Sequence, residues 1–113
     1  MRRLCWAVGL AWGCGTPDSV ERADWPEVAA GVVCDRTAEC ARSAFEVNYF
    51  GAEDCRASVA RDLAVLAEGL DDADCDYEPG AAGTGLEEIA TMTCGDFYDG
   101  EAEDAIEDTW DCP

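Results

Sequence analysis

The sequence contains neither lysine nor histidine, and no basic residue follows Arg61. Seven arginines face 26 acidic residues, and all of the acidic residues follow residue 13, so residues 14–113 carry a net charge of 5 − 26 = −21. Binding to nucleic acid or to anionic lipid needs cationic groups near phosphates. The composition argues against both partners and favours a solvated acidic surface or a basic protein or other cationic partner.

The same absences bear on catalysis. Histidine is the commonest general base and lysine is the nucleophile that forms Schiff bases, and this chain contains neither. The glycines of 80–85 lack the lysine of a phosphate-binding loop and indicate a flexible connector. The sequence contains no Cys-x-x-Cys motif, so it indicates neither a thioredoxin-type redox site nor a zinc ribbon. A carboxylate pair could hydrolyse glycosides only within a cleft, which a domain of this size seldom provides. We therefore predict a protein that is not an enzyme, with no cofactor and no metal site.

Long apolar runs are also absent, since the longest at the N-terminus, residues 4–12, spans nine residues. A bilayer-spanning helix needs roughly 20. With the basic start Met1-Arg2-Arg3, the run is typical of a short secretory signal. Small residues at Ala11 and Gly13 would occupy positions −3 and −1 of a cleavage site before Cys14.

The segment Ala11-Trp12-Gly13-Cys14 resembles a bacterial lipobox, in which the cysteine after the cut is diacylated. Ala11 replaces the usual leucine, and Trp12 is bulkier than the family's residue there. Gly15 resembles the residue that follows the lipidated cysteine in outer-membrane lipoproteins. The resemblance implies lipidation of Cys14 and a membrane-anchored protein at the outer membrane of the cell envelope. Two alternatives are an unanchored secreted protein cut at the same bond and a cytosolic protein with a buried N-terminal helix.

These signals divide the chain into three parts. Residues 1–13 are the predicted signal peptide. Residues 14–24 are the predicted lipidated N-terminus with a flexible, polar tether. Residues 25–113 are the predicted cysteine-rich helical domain.

Six cysteines remain once Cys5 is removed with the signal and Cys14 is assigned to lipid. An even number in a small exported domain predicts three disulfides. Six cysteines allow fifteen pairings, of which the helical hairpin expected around residues 40–55 favours Cys40 with Cys55. The predicted disulfide residues are Cys34, Cys40, Cys55, Cys75, Cys94 and Cys112.

Helical spacing of apolar residues recurs along the domain. A first helix is predicted from Asp24-Trp25-Pro26-Glu27 to about Ser43. The clearest helix covers 52–70, with Gly69 as a stop signal. Residues 45–49 fit either a strand or a helix.

Two further helices complete the predicted fold. Thr84 and Glu87 form a capping box before a helix that ends near Cys94. The last helix covers 101–110 and includes Trp110, which, like Trp25, is expected to pack in the core. The predicted fold is mainly α, a small disulfide-stapled bundle of about four short helices.

The acidic stretch 71–78 offers the main alternative function. Asp72-x-Asp74-x-Asp76 matches the start of a calcium-binding EF-hand loop, but Tyr77 and Gly83 occupy the places of the turn glycine and the bidentate glutamate. Divalent-cation binding is therefore the alternative, and a solvated acidic turn is the simpler interpretation.

The cysteine spacing, the segment 75–79 and a helix ending at Cys94 resemble small cysteine-rich bacterial lipoproteins of unknown function. This chain lacks a further cysteine expected near Gly85. The resemblance implies a cell-envelope lipoprotein, and the family supplies no activity to carry over. We predict a non-enzymatic surface or interaction module, with calcium binding, or a secreted unanchored effector or inhibitor, as alternatives.

Overall fold

The computed structural model describes residues 17–113. They form six helices and a two-stranded antiparallel sheet, which confirms a mainly helical fold but with six helices where about four were predicted. The predicted signal peptide at 1–13 and the predicted lipidation residue Cys14 lie outside the described residues. In chain order the elements are α1 (Trp25–Cys40), α2 (Arg42–Asn48), α3 (Ala52–Asp72), β1 (Asp76–Tyr77), α4 (Pro79–Thr91), α5 (Cys94–Tyr98), α6 (Glu101–Glu107) and β2 (Trp110–Asp111).

The helices α1 and α3 pack side by side in opposite directions. Cys34, late in α1, is bonded to Cys55, early in α3. At the other end, Trp25 of α1 contacts Trp110, whose indole donates a hydrogen bond to Asp71 at the end of α3. The chain reverses between them through the short helix α2. Residues 45–48 of the ambiguous segment 45–49 are therefore helical, and Tyr49 is extended.

Four predicted helix ends are wrong. α4 ends at Thr91 rather than near Cys94, because Met92 has an extended backbone, and α6 ends at Glu107. α1 ends at Cys40 rather than near Ser43, because Ala41 leaves the helical conformation with φ −135° and ψ 56°. α3 runs through Gly69 to Asp72. Gly69 keeps a helical backbone there, and its carbonyl accepts a hydrogen bond from the Ala73 N–H at 3.0 Å.

The predicted connector at 80–85 is wrong, because these residues form the first half of α4. Pro79 begins the helix with a suitable φ, and the Glu78 side chain accepts a hydrogen bond from the Gly80 N–H at 3.2 Å. The predicted capping box at Thr84 and Glu87 is therefore wrong too, since both residues lie inside the helix.

The small sheet brings the two ends of the C-terminal half together. Asp76 pairs with Asp111 and Tyr77 with Trp110, and the Glu78 N–H donates to the Thr109 carbonyl at 3.0 Å. The prediction that Trp110 belongs to the last helix is therefore wrong. α6 ends at Glu107, and Trp110 lies in β2.

Two groups of buried side chains hold the domain together. The larger core contains Trp25 and Trp110, which confirms their expected packing, with Leu86 and Ile89 of α4 beside them. The smaller core lies where α1, α2 and α3 meet and consists of Cys34, Phe45 and Cys55. Within residues 17–113, no helix is both long and apolar enough to cross a membrane.

Candidate functional site

The segment that follows the predicted lipidation residue is packed on the domain. We call residues 17–24 the docked segment. Val20 is buried, its N–H donates to the Pro79 carbonyl at 3.2 Å, and its carbonyl accepts from the Tyr77 hydroxyl at 2.6 Å. The prediction of a flexible tether is therefore wrong for residues 17–24, because a buried side chain and two hydrogen bonds fix this part of the chain.

Tyr77 stays a hydrogen-bond donor over a wide pH range. Burial is the main reason that the pKa of Tyr77 rises to about 12, and the nearby carboxylates Glu21 and Asp24 add to the effect. Since the hydroxyl keeps its proton, the bond to the Val20 carbonyl persists in neutral and mildly alkaline solution.

An ion pair also joins the docked segment to the end of α3. Both Nε and a terminal nitrogen of Arg22 donate to one carboxylate oxygen of Asp71, at 3.0 and 2.7 Å. The Trp110 indole donates to the other oxygen at 3.3 Å. The hydrogen bond from Arg22, more than any other cause, holds the pKa of Asp71 below its ordinary value. Both partners are partly exposed, so the pair orients the segment more than it stabilises the fold.

Gly83 permits the close approach of the docked segment to α4. A Cβ atom at this position would lie 2.1 Å from the Asp18 carbonyl oxygen and 3.0 Å from the Pro17 carbonyl oxygen. Both neighbours are backbone atoms, so a side chain here can be accommodated only if the segment moves.

We expect Gly83→Ala to lower the free energy of unfolding by about 2.5 kcal/mol or more. Displacing the segment exposes Val20, worth about 1.5 kcal/mol or more, and removes two hydrogen bonds of about 1 kcal/mol each. A gain in helix propensity of about 1 kcal/mol offsets part of the loss. Urea unfolding followed by circular dichroism at 222 nm measures the change.

Gly69→Ala is the matched control for this prediction. Gly69 also lies inside a helix, but a Cβ there would meet no atom within 4 Å. The same substitution should therefore raise the free energy of unfolding, by up to ~1 kcal/mol. Equal effects at Gly83 and Gly69 would contradict the packing of the docked segment on α4.

The six predicted disulfide cysteines form three bridges, and within residues 17–113 no cysteine is free. The preferred pair of Cys40 with Cys55 is wrong. Cys55 lies in the first turn of α3. The residue of α1 that faces it is Cys34, which precedes the end of α1 by more than one turn. Cys40, at the last residue of α1, meets α5 instead. The bridges are Cys34–Cys55, Cys40–Cys94 and Cys75–Cys112.

The acidic turn is not arranged like an EF-hand. Asp72 is the last residue of α3, Asp74 has a left-handed backbone with φ 64°, and Asp76 lies in β1. In the part of the chain that the structure describes, no three or more His, Cys, Asp or Glu side chains converge as metal ligands.

The cavities beside the docked segment are open to solvent, and no aromatic residue of 17–113 lines them. One of about 300 Å³ is lined by Pro17, Asp18, Gly83, Thr84, Glu87 and Glu88, and one of about 120 Å³ lies on the segment's other side. Small-molecule sites are usually lined mainly by apolar and aromatic side chains. The geometry of this region is that of a segment packed closely on α4.

Sequence reasoning missed the two arginines with the most specific contacts. Arg22 and Asp71 are 49 residues apart, and no local pattern links them. Arg36 contacts the Cys40–Cys94 bridge, and here a signal existed, because residues i and i+4 on a helix are neighbours.

No protein-family model matches the chain. The comparisons with curated proteins and with solved structures likewise found no match.

Proposed function

We propose that the chain is an exported, lipid-anchored, non-enzymatic interaction module of the cell envelope. The observation that carries this proposal is the use of all six cysteines after residue 17 in disulfides. Disulfides persist in oxidising compartments and are rare in the cytosol. This favours export over the cytosolic alternative and adds weight to the signal-like N-terminus and its lipobox-like Cys14.

The docked segment adds a consequence for an anchored protein. Only Gly15 and Thr16 lie between Cys14 and Pro17, which already belongs to the folded domain. Three residues of extended chain span at most about 11 Å. A diacylated Cys14 would therefore hold the docked segment and the start of α4 close to the lipid headgroups, at the outer membrane by our proposal.

In an anchored protein, the opposite end of the domain would lie about one length of α3 from the docked segment. α3 has 21 residues and is therefore about 30 Å long. Its last turn lies beside the docked segment, and Val47 and Phe50, both highly exposed, precede its first turn. A net charge of −21 for residues 14–113 favours a basic protein or other cationic partner for the domain as a whole.

Intact mass spectrometry of the chain, expressed with its own leader in a Gram-negative host, tests the anchor. We expect a product that begins at Cys14, carries acyl mass and gains six hydrogens on reduction, two for each bridge. The Cys14→Ser variant should lose the acyl mass and leave the membrane fraction. An unacylated wild-type product would overturn the anchored proposal and leave the secreted, unanchored alternative.

A further inference from the structure

The three disulfides differ in how accessible they are to an attacking thiolate. Cys34 and Cys55 are only 2% and 1% exposed. The Cys40–Cys94 bridge is half-buried, and the Cys75–Cys112 bridge has one buried and one exposed end. Since thiol–disulfide exchange requires access to a disulfide sulfur, the Cys34–Cys55 bridge is the most protected.

The two accessible bridges differ in the charge around them. Cys75 lies between Asp74 and Asp76, and Cys112 follows Asp111. Carboxylates repel an incoming thiolate and disfavour the thiolate that must leave. Access alone would therefore favour opening of Cys75–Cys112, but its charges oppose it.

The Cys40–Cys94 bridge has a cation against it. A terminal nitrogen of Arg36 lies 3.3 Å from the Cys40 sulfur and 3.9 Å from the Cys94 sulfur. The same nitrogen donates to the Met92 carbonyl at 2.6 Å, which fixes it in place. The Arg36 side chain is 13% exposed, so its charge is poorly screened by water.

Glu39 weakens the positive charge that Arg36 presents to the Cys40–Cys94 bridge, but does not cancel it. It forms an ion pair with the other terminal nitrogen of Arg36, and its own side chain is 68% exposed. Its carboxylate is thus largely solvated, whereas the nitrogen that contacts the sulfurs is held in the protein. A neighbouring guanidinium stabilises a thiolate, and a stabilised thiolate leaves faster.

We propose that Cys40–Cys94 is the site of thiol–disulfide exchange in this domain, with Arg36 as the residue that positions and stabilises the leaving sulfur. A thiolate of a dithiol attacks the Cys94 sulfur and forms a new S–S bond. The Cys40–Cys94 bond breaks, and its electron pair goes to the Cys40 sulfur beside Arg36. The second thiol of the dithiol loses its proton to water and attacks the sulfur that is bonded to Cys94. That bond breaks, Cys94 leaves as a thiolate, and the dithiol is oxidised to a disulfide. Cys40 and Cys94, now both reduced, exchange protons with water.

Opening this bridge has a local structural consequence. α5 has no buried residue, and Phe97 is its half-buried contact with the core. Besides the bridge, the Tyr98 hydroxyl donates to the Cys40 carbonyl and Arg36 binds the Met92 carbonyl just before α5. Reduction therefore releases the covalent link between α1 and α5. It leaves intact the bridges at the larger core, Cys75–Cys112, and in the smaller core, Cys34–Cys55.

Limited reduction by dithiothreitol at constant pH, followed by alkylation of free thiols and peptide mapping, tests the proposal. We expect Cys40 and Cys94 to be labelled first, Cys75 and Cys112 later, and Cys34 and Cys55 last. Labelling of Cys75 and Cys112 before Cys40 and Cys94 in the wild-type protein would overturn the proposal, whatever the variants do.

The Arg36→Gln variant separates thiolate stabilisation from simple clamping. Loss of the cation should slow opening of Cys40–Cys94 by about 3- to 10-fold, and Arg36→Lys, which keeps the charge, should recover part of the rate. If Arg36 merely clamps α5, its loss would instead speed opening. Arg61→Gln on the exposed face of α3 is the charge-matched control, and an equal effect of both glutamine variants would also overturn the proposal.

Discussion

Replacing Trp25 with alanine is expected to lower the free energy of unfolding by about 3–5 kcal/mol, the usual cost of truncating a buried large aromatic residue. Trp25 is fully buried, and its ring meets the Trp110 ring edge-on with 4.8 Å between centroids. Trp110 also contacts the Tyr77 ring at 5.1 Å. The substitution therefore leaves a cavity between α1 and the small sheet that these rings cannot fill.

Phe50→Ala is the matched control for the Trp25 substitution. It also truncates an aromatic side chain, but Phe50 is fully exposed, so the change should stay within about 0.5 kcal/mol. Urea unfolding followed by circular dichroism at 222 nm reports both variants without relying on tryptophan fluorescence. A cost below about 1 kcal/mol for Trp25→Ala would show that the ring cluster is not the centre of the larger core.

Trp25→Phe examines the polar atom of the same side chain. The indole nitrogen of Trp25 has no hydrogen-bond partner among residues 17–113. Phenylalanine removes this buried donor, whose missing bond is unfavourable, while it keeps most of the ring. The cost should therefore be much smaller than that of alanine, about 1–2 kcal/mol.

Local pattern predicted helices where one face is apolar. The helix predicted at 52–70 is confirmed except at its end, because apolar residues repeat at helical spacing over several turns. These residues are Cys55, Val59, Leu63, Leu66 and Leu70, of which Leu66 is exposed. The glycines of α4 predict a connector at 80–85 rather than a helix, because glycine disfavours helices in isolation. Gly83 and Gly85 instead serve packing, since a Cβ on either would meet a backbone oxygen at 2.1 or 2.9 Å.

The disulfide pairing and the docked segment depend on contacts that local sequence does not encode. Cys40 bonds to Cys94 across 54 residues, and Val20 bonds to Pro79 and Tyr77 across more than 50. The spacing of Ala102, Ala105 and Ile106 predicts a helix that continues to Trp110. It lies in β2 because pairing with Tyr77 and the Cys75–Cys112 bridge fix its position.

Removing the most buried bridge, with Cys34→Ala and Cys55→Ala together, is expected to lower the free energy of unfolding by about 4–5 kcal/mol. Restriction of the unfolded chain accounts for ~3.3 kcal/mol at a separation of 21 residues. The remainder comes from packing, because both sulfurs belong to the smaller core, where Phe45 is the buried residue of α2. Urea unfolding under non-reducing conditions measures the loss.

Comparison with the Cys75→Ala, Cys112→Ala double variant shows whether packing or chain entropy decides the effect. The Cys75–Cys112 bridge spans 37 residues, for which the chain-entropy relation gives ~3.8 kcal/mol, more than for Cys34–Cys55. Loop length alone therefore ranks Cys75–Cys112 as the more stabilising bridge. If burial adds the packing contribution argued above, Cys34–Cys55 is the more stabilising by up to about 1 kcal/mol. A larger loss from the Cys75–Cys112 variant would mean that the smaller core repacks around alanine and that its bridge acts mainly on the unfolded chain.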